Sequence, residues 1–146
     1  MEISQIKNDT ITVNYKGKKV VIDVTKELVI DDSLLNSQLM DSPSNYAFLC
    51  GIRDKYIQKR DQLEKQKDYQ FSKLWLFYKK SNSKMTNDMA THQVMDNAKY
   101  QAIEKRFLKI NYKADRLISI CKAYESRERI LQTLSANLRR QLYEQF

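Results

Sequence analysis

Between Thr10 and Val24 apolar and polar residues alternate, Thr-Ile-Thr-Val-Asn-Tyr on one side of Lys16-Gly17 and Lys-Lys-Val-Val-Ile-Asp-Val on the other. A period of two with β-branched residues is the mark of a half-buried strand, and a glycine in the middle supplies the positive φ that a tight turn needs. The pattern predicts a β-hairpin with Ile11, Val13 and Tyr15 facing Val20, Ile22 and Val24. A lone two-stranded hairpin is marginal in water, so it must pack on something else. Beyond it the period lengthens. Asp31 to Met40 reads as a short helix entered through Asp31-Asp32, where carboxylates suit the helix dipole. Ser42-Pro43 then reads as the start of a long helix running to Lys80, with serine as cap and proline at the first helical position. Along it Leu49, Tyr56, Leu63 and Phe77 recur at multiples of seven, but the seam positions between them, Arg53, Arg60 and Lys67, are charged.

Ser81 to Met85 is turn-like, Thr86 is a candidate N-cap for a short helix to Met95, and Asp96 is expected to cap the next. From there the pattern is strong. Positions 103, 107, 110, 114, 117, 121, 124, 128, 131, 135, 138 and 142 alternate by four and three, and ten of these twelve are apolar. That is a coiled-coil seam sustained over more than four heptads. Leu108, Ile118, Ala123, Ile130 and Leu134 widen it beyond what one antiparallel partner covers. Apolar stripes of this width mark interfaces, and symmetric self-association is the common solution. Ile103, Phe107, Ile110, Leu117, Tyr124, Leu131, Leu134 and Leu138 are therefore the expected oligomer interface. The fold class is mainly α: a long antiparallel, coiled-coil-like helical hairpin over residues 31–146, preceded by a small β-hairpin segment over residues 1–30.

Composition sharpens this picture without changing it. With 42% hydrophobic and 30% charged residues but two glycines and one proline in 146, the chain is built for long helices. Charge is lopsided. Residues 1–50 hold 5 Lys/Arg and 7 Asp/Glu, whereas residues 51–146 hold 21 and 11, giving +8 overall. A basic helical body favours a polyanion as partner. Enzymatic chemistry has little to work with. His92 is the one histidine, Gly17 and Gly51 cannot build a phosphate-cradling loop, and the carboxylates sit among lysines and arginines at helical pairing distance. No cofactor or metal is expected. Cys50 and Cys121 fall on apolar stripes and read as free thiols of a reducing cytosol. No apolar run approaches the roughly 18 residues of a membrane span, and the first residues lack the pattern of a signal peptide, so a cytoplasmic location is expected.

The break between the long helices carries the most suggestive chemistry. Leu74-Trp75-Leu76-Phe77-Tyr78 runs into Lys79-Lys80 and, beyond Ser81, Lys84. Five successive large side chains on a helix cannot all face inward, so at least one of Trp75, Phe77 and Tyr78 should be exposed, beside Lys73, Lys79, Lys80 and Lys84. Bases stack on aromatic rings while cations track phosphates, which is how single strands are held. Two further basic groups are present. Lys105-Arg106, Lys109, Lys113 and Arg116 could extend a phosphate track or line the outside of an oligomer. Arg127, flanked by Glu125 and Glu128, suits a salt bridge between subunits.

The order of parts resembles the bacteriophage recombination mediator family typified by UvsY, small basic helical-hairpin proteins. The likeness runs from about Leu34 to Arg140. It rests on the turn Ser83-Lys84-Met85-Thr86, the short polar helix after it, Asp96 and Tyr100, the long apolar-periodic helix, and Arg127 followed by Leu131 and Leu134. The hairpin at residues 10–24 is not a part of the typical member. What the resemblance implies is a ring-shaped homo-oligomer, host-cytoplasmic and without enzymatic activity. It would bind single-stranded DNA and help load a RecA-like recombinase in place of single-strand-binding protein. The DNA contacts would be Lys73, Lys79, Lys80 and Lys84, with Trp75 and Tyr78 beside them. The competing expectation is a helical adaptor or inhibitor of phage origin that engages another protein through its apolar stripe and does not bind DNA.

Overall fold

The computed structural model describes residues 9–145. Strands β1 (Thr10–Tyr15) and β2 (Lys18–Asp23) are followed by the short helix α1 (Val24–Leu28) and a 3-10 turn at Asp32–Leu34. Three helices follow: α2 (Leu35–Ser81), α3 (Asn87–Asp96) and α4 (Ala98–Glu144). The two long helices pack against each other. The chain forms two compact units, one of residues 1–54 with 115–146 and one of residues 55–114. The boundary between the units falls within both long helices.

In the first unit the β-hairpin is antiparallel, with Ile11 opposite Ile22 and Val13 opposite Val20. Lys16 and Gly17 both take positive φ, 50° and 74°, the primed turn whose twist matches that of the flanking strands. Ile11, Val13 and Ile22 are buried. Tyr15 faces Lys18 instead of an apolar residue, and its ring meets Phe48 of α2 edge-on at 5.2 Å. Val24 leaves the strand for α1, because the Asp23 carboxylate accepts from the Lys26 N–H and starts a helix there. Arg116 of α4 donates to both carboxylate oxygens of Asp9 at 2.6 Å, fastening the chain just ahead of β1.

Helix α2 begins at Leu35 and runs through Pro43, so the short helix expected at residues 31–40 and the fresh start expected at Ser42-Pro43 are one element. Proline in a helix interior removes the hydrogen bond to the carbonyl four residues back, here that of Leu39, at about 3 kcal/mol. Tertiary contacts on either side offset that cost. Leu35 is buried, the Ser42 hydroxyl donates to Glu128 at 2.8 Å, and the Tyr46 hydroxyl donates to Glu125. Ser42 is therefore a cross-helix donor and not a cap. The same bonds correct the expectation for Arg127. Its neighbouring glutamates are taken by hydroxyls of α2, and its own Nε donates to the Val29 carbonyl at 3.4 Å while its guanidinium lies 5.0 Å from the Tyr124 ring.

The α4 seam faces inward onto its own chain. Ala114, Leu117, Cys121, Tyr124 and Leu131 are buried, Leu117 and Leu131 with no exposed surface, and Leu49 and Ile52 of α2 are buried likewise. Tyr124 stacks on Tyr46 at 5.9 Å. Leu117, Tyr124 and Leu131 are thus core residues of one protomer and have no surface left to offer a second. Ile103, Phe107, Ile110 and Leu134 are half-buried, and Leu138 is exposed. Past Leu131 the helix has no buried residue to its end at Glu144, and Leu138, Leu142 and Tyr143 face outward, Tyr143 at 82% exposure.

Burial in this unit shapes its response to alkali. The Cys121 thiol is pushed up to about 11, first by loss of hydration and then by the Cys50 thiol and its surroundings. The Tyr46 phenol is raised by the Glu125 carboxylate to which it donates. Groups whose folded values exceed their unfolded ones (about 8.5 for thiol and 10 for phenol) keep their full stabilising effect below those unfolded values and lose it as pH climbs through the folded ones. Urea midpoints should therefore hold from pH 7 to 8.5 and fall between pH 9 and 11, with about 2 kcal/mol lost through Cys121 alone. A Cys121→Ala variant, compared at the same pH values, should show a shallower decline. An equally steep decline would remove the thiol as its cause.

Candidate nucleic-acid interface

The unit formed by residues 55–114 contains the sequence between the long helices and their adjoining halves. It holds 14 Lys/Arg against 6 Asp/Glu, net +8, while the other unit holds 12 of each. The whole positive excess of the protein therefore resides in these 60 residues.

Helix α2 stops at Ser81 because the next residues offer the backbone local partners. The Ser81 hydroxyl donates back to the Phe77 carbonyl at 2.7 Å, the Asn82 carboxamide accepts from the Lys84 N–H, and the Met85 N–H closes a turn on the Asn82 carbonyl. Thr86 caps α3 as expected, its hydroxyl accepting from the Met89 N–H at 3.2 Å. The cap of α4 is Asn97, one residue later than the expected Asp96. Its carboxamide oxygen accepts from the N–H groups of Lys99 and Tyr100, and its amide donates to the Tyr78 hydroxyl at 2.9 Å. Asp96 remains in α3. A carboxylate could have capped equally well, but only an amide can accept from the helix and donate to the phenol at once. Ala90 and Val94 of α3 are fully buried, and Phe71 meets Tyr100 edge-on at 5.8 Å.

These contacts sort the expected binding residues. Lys79 is committed to the turn: its ammonium donates to the Met85 carbonyl at 2.8 Å and lies 5.7 Å from the Trp75 ring. Trp75 and Tyr78 are half-buried, Tyr78 holding Asn97. Of the three aromatics at the turn, the one that faces water is Phe77, 63% exposed, with Leu76 beside it at 52%. Lys73, Lys80 and Lys84 are exposed. Of the six expected contacts, three cations are exposed to a ligand, and the exposed ring is Phe77, next in sequence to Tyr78. Phe77 sits at a sevenfold position yet faces outward, one of the three tip aromatics of which at least one is expected to be exposed.

Phe77 lies at the edge of a groove of about 480 Å³ lined by Gln70, Lys73 and Leu74 of α2 and by Asn97, Ala98 and Lys99. An exposed ring in a groove that two lysines also line offers a stacking face with cations at hand. Lys67, a charged seam position, is accommodated by lying 4.4 Å from the Phe107 ring, where a cation gains from the π face. His92 is exposed on α3. Among the described residues no three of His, Cys, Asp or Glu gather as a metal site, and no helix is long and apolar enough to cross a membrane. No family model, curated protein or solved structure matches the chain.

Proposed function

We propose that this protein binds single-stranded DNA without catalysing a reaction, through the basic unit of residues 55–114. We further propose that it acts as a homo-oligomeric recombination mediator, helping a RecA-like recombinase replace single-strand-binding protein. The observation that carries the first part is the confinement of the entire +8 charge to a unit with a groove lined by the exposed Phe77 together with Lys73 and Lys99. Duplex binding needs cations alone, whereas a free aromatic face gains only from an unpaired base. The mediator role rests on the resemblance of residues 34–140. Self-association draws support from the outward Leu138, Leu142 and Tyr143 on the end of α4. An oligomer would present several weak basic tips at high effective concentration, which suits a strand that must be held and then released.

The test is fluorescence anisotropy with labelled oligo-dT over a salt series, alongside light scattering of the protein alone. Sub-micromolar binding at low salt, weakening steeply as salt rises, is expected together with a discrete oligomer. No binding at low salt by a stable monomer would leave the adaptor reading in its place.

A further inference from the structure

A second concavity lies in the same unit. Lys59, Gln62, Leu63 and Gln66 of α2 and Arg106, Lys109 and Ile110 of α4 line a cleft of about 420 Å³. Leu63 is buried and Ile110 half-buried, so the floor is apolar while the rim carries three cations and two carboxamides. Among the described residues lining this cleft and the groove at Phe77 there are five cations and no carboxylate. Like charges gathered round a concave, partly apolar wall repel one another, and their field is concentrated there.

The two concavities are in line. On α2 the lining positions are 59, 62, 63, 66, 70, 73, 74 and 77. Steps of three and four keep them on one face, and Lys59 and Phe77, about five turns apart at 3.6 residues per turn, point the same way. On α4 positions 99, 106, 109 and 110 share a face by the same rule. The carboxylates of this stretch of α2, Asp61, Glu64 and Asp68, lie about 140° to 200° round the helix from that face, and Glu104 is about 160° from Arg106. The carboxylates of these stretches thus point away from the concavities, whose polar lining residues are cations and amides alone.

We infer that the cleft of Lys59, Arg106 and Lys109 is a second phosphate-binding subsite, and that one single strand runs along this face from Phe77 to Lys59. The inference rests on the proposed DNA binding and adds its path and footprint. Eighteen residues of α2 span about 27 Å, room for at most about eight nucleotides at the 3.4 Å rise of a stacked strand. The Gln62 and Gln66 amides can donate to phosphate oxygens or pair with base edges without selecting one base. Arg106 and Lys109 become binding residues.

The test compares labelled dT4 and dT8 on the wild type, on Arg106→Gln/Lys109→Gln, and on Arg139→Gln/Arg140→Gln, which removes the same charge from the far end of α4. Glutamine preserves helix propensity, and unchanged circular-dichroism melts would establish that each variant is folded. In the wild type dT8 should bind at least tenfold tighter than dT4, because only the longer strand reaches both subsites. The cleft variant should lose that gain while keeping dT4 affinity within twofold, and its salt slope on dT8 should flatten by about 1.4, two contacts at 0.7 each. The control should keep gain and slope. A cleft variant indistinguishable from wild type would overturn the path while leaving DNA binding intact. An equal loss in the control would reduce the effect to net charge and overturn the subsite. Failure of the wild type to bind either oligomer at low salt would instead defeat the DNA-binding reading itself.

Discussion

Tyr124→Ala should cost about 3 to 5 kcal/mol of stability, the range for deleting a large buried aromatic side chain. Among the described residues Tyr124 is the largest fully buried side chain, with 1% of its surface exposed. Its ring stacks on Tyr46 and supports the Arg127 guanidinium, so its removal leaves a void and strips Arg127 of its cover together. Against a total stability of about 5 to 15 kcal/mol, such a loss brings the unit of residues 1–54 and 115–146 close to unfolding at room temperature. The measurement is a urea midpoint at pH 7 by circular dichroism. Tyr124→Phe serves as comparison and should cost under about 1 kcal/mol, since it keeps the volume. A Tyr124→Ala midpoint within error of wild type would show that the seam is not the core. That outcome would return Leu117, Tyr124 and Leu131 to the role of subunit contacts.

The second large effect is on binding. Lys73→Ala/Lys80→Ala/Lys84→Ala should weaken oligo-dT binding by about one to two orders of magnitude at 50 mM salt and flatten the salt slope by up to about 2, three phosphates at 0.7 each. Phe77→Ala should weaken binding by an amount worth about 1 to 3 kcal/mol and leave the slope unchanged, because stacking releases no counterion. Lys79→Ala should act differently from both. Its ammonium holds the Met85 carbonyl in the turn, so its loss should lower the melting temperature more than the salt slope. Matching slopes for the triple variant and the wild type would place the strand elsewhere on the protein.

How far these sites were legible in the sequence differs from element to element. The hairpin turn at Lys16-Gly17, the break after Ser81 and the Thr86 cap follow from requirements within a few residues, and each stands where the pattern placed it. The cap of α4 slipped by one because Asp96 and Asn97 serve equally well as acceptors, and the Tyr78 hydroxyl that favours an amide is nineteen residues away. Pro43 misled for the same reason. Local chemistry makes it a helix start, while bonds from Ser42 and Tyr46 to glutamates some eighty residues on hold the helix together around it. The half-burial of Trp75 and Tyr78 and the exposure of Phe77 depend on what packs against this end of α2. No spacing rule along one chain reports that.

The apolar seam of α4 shows the division most clearly. Its period determined that residues 103 to 142 form a helix with one greasy side, because side-chain direction along a helix is a local consequence of 3.6 residues per turn. What covers that side was decided only by folding. Antiparallel packing with α2 consumes the stripe from Ala114 to Leu131 within the protomer and leaves Leu138, Leu142 and Tyr143 uncovered beyond it. Charge divides likewise. The excess of lysine and arginine and the sidedness of the carboxylates are written in the order of residues. The concavities that gather those cations around Phe77 and around Leu63 exist only once two helices lie side by side, since a groove needs two walls and one helix supplies one.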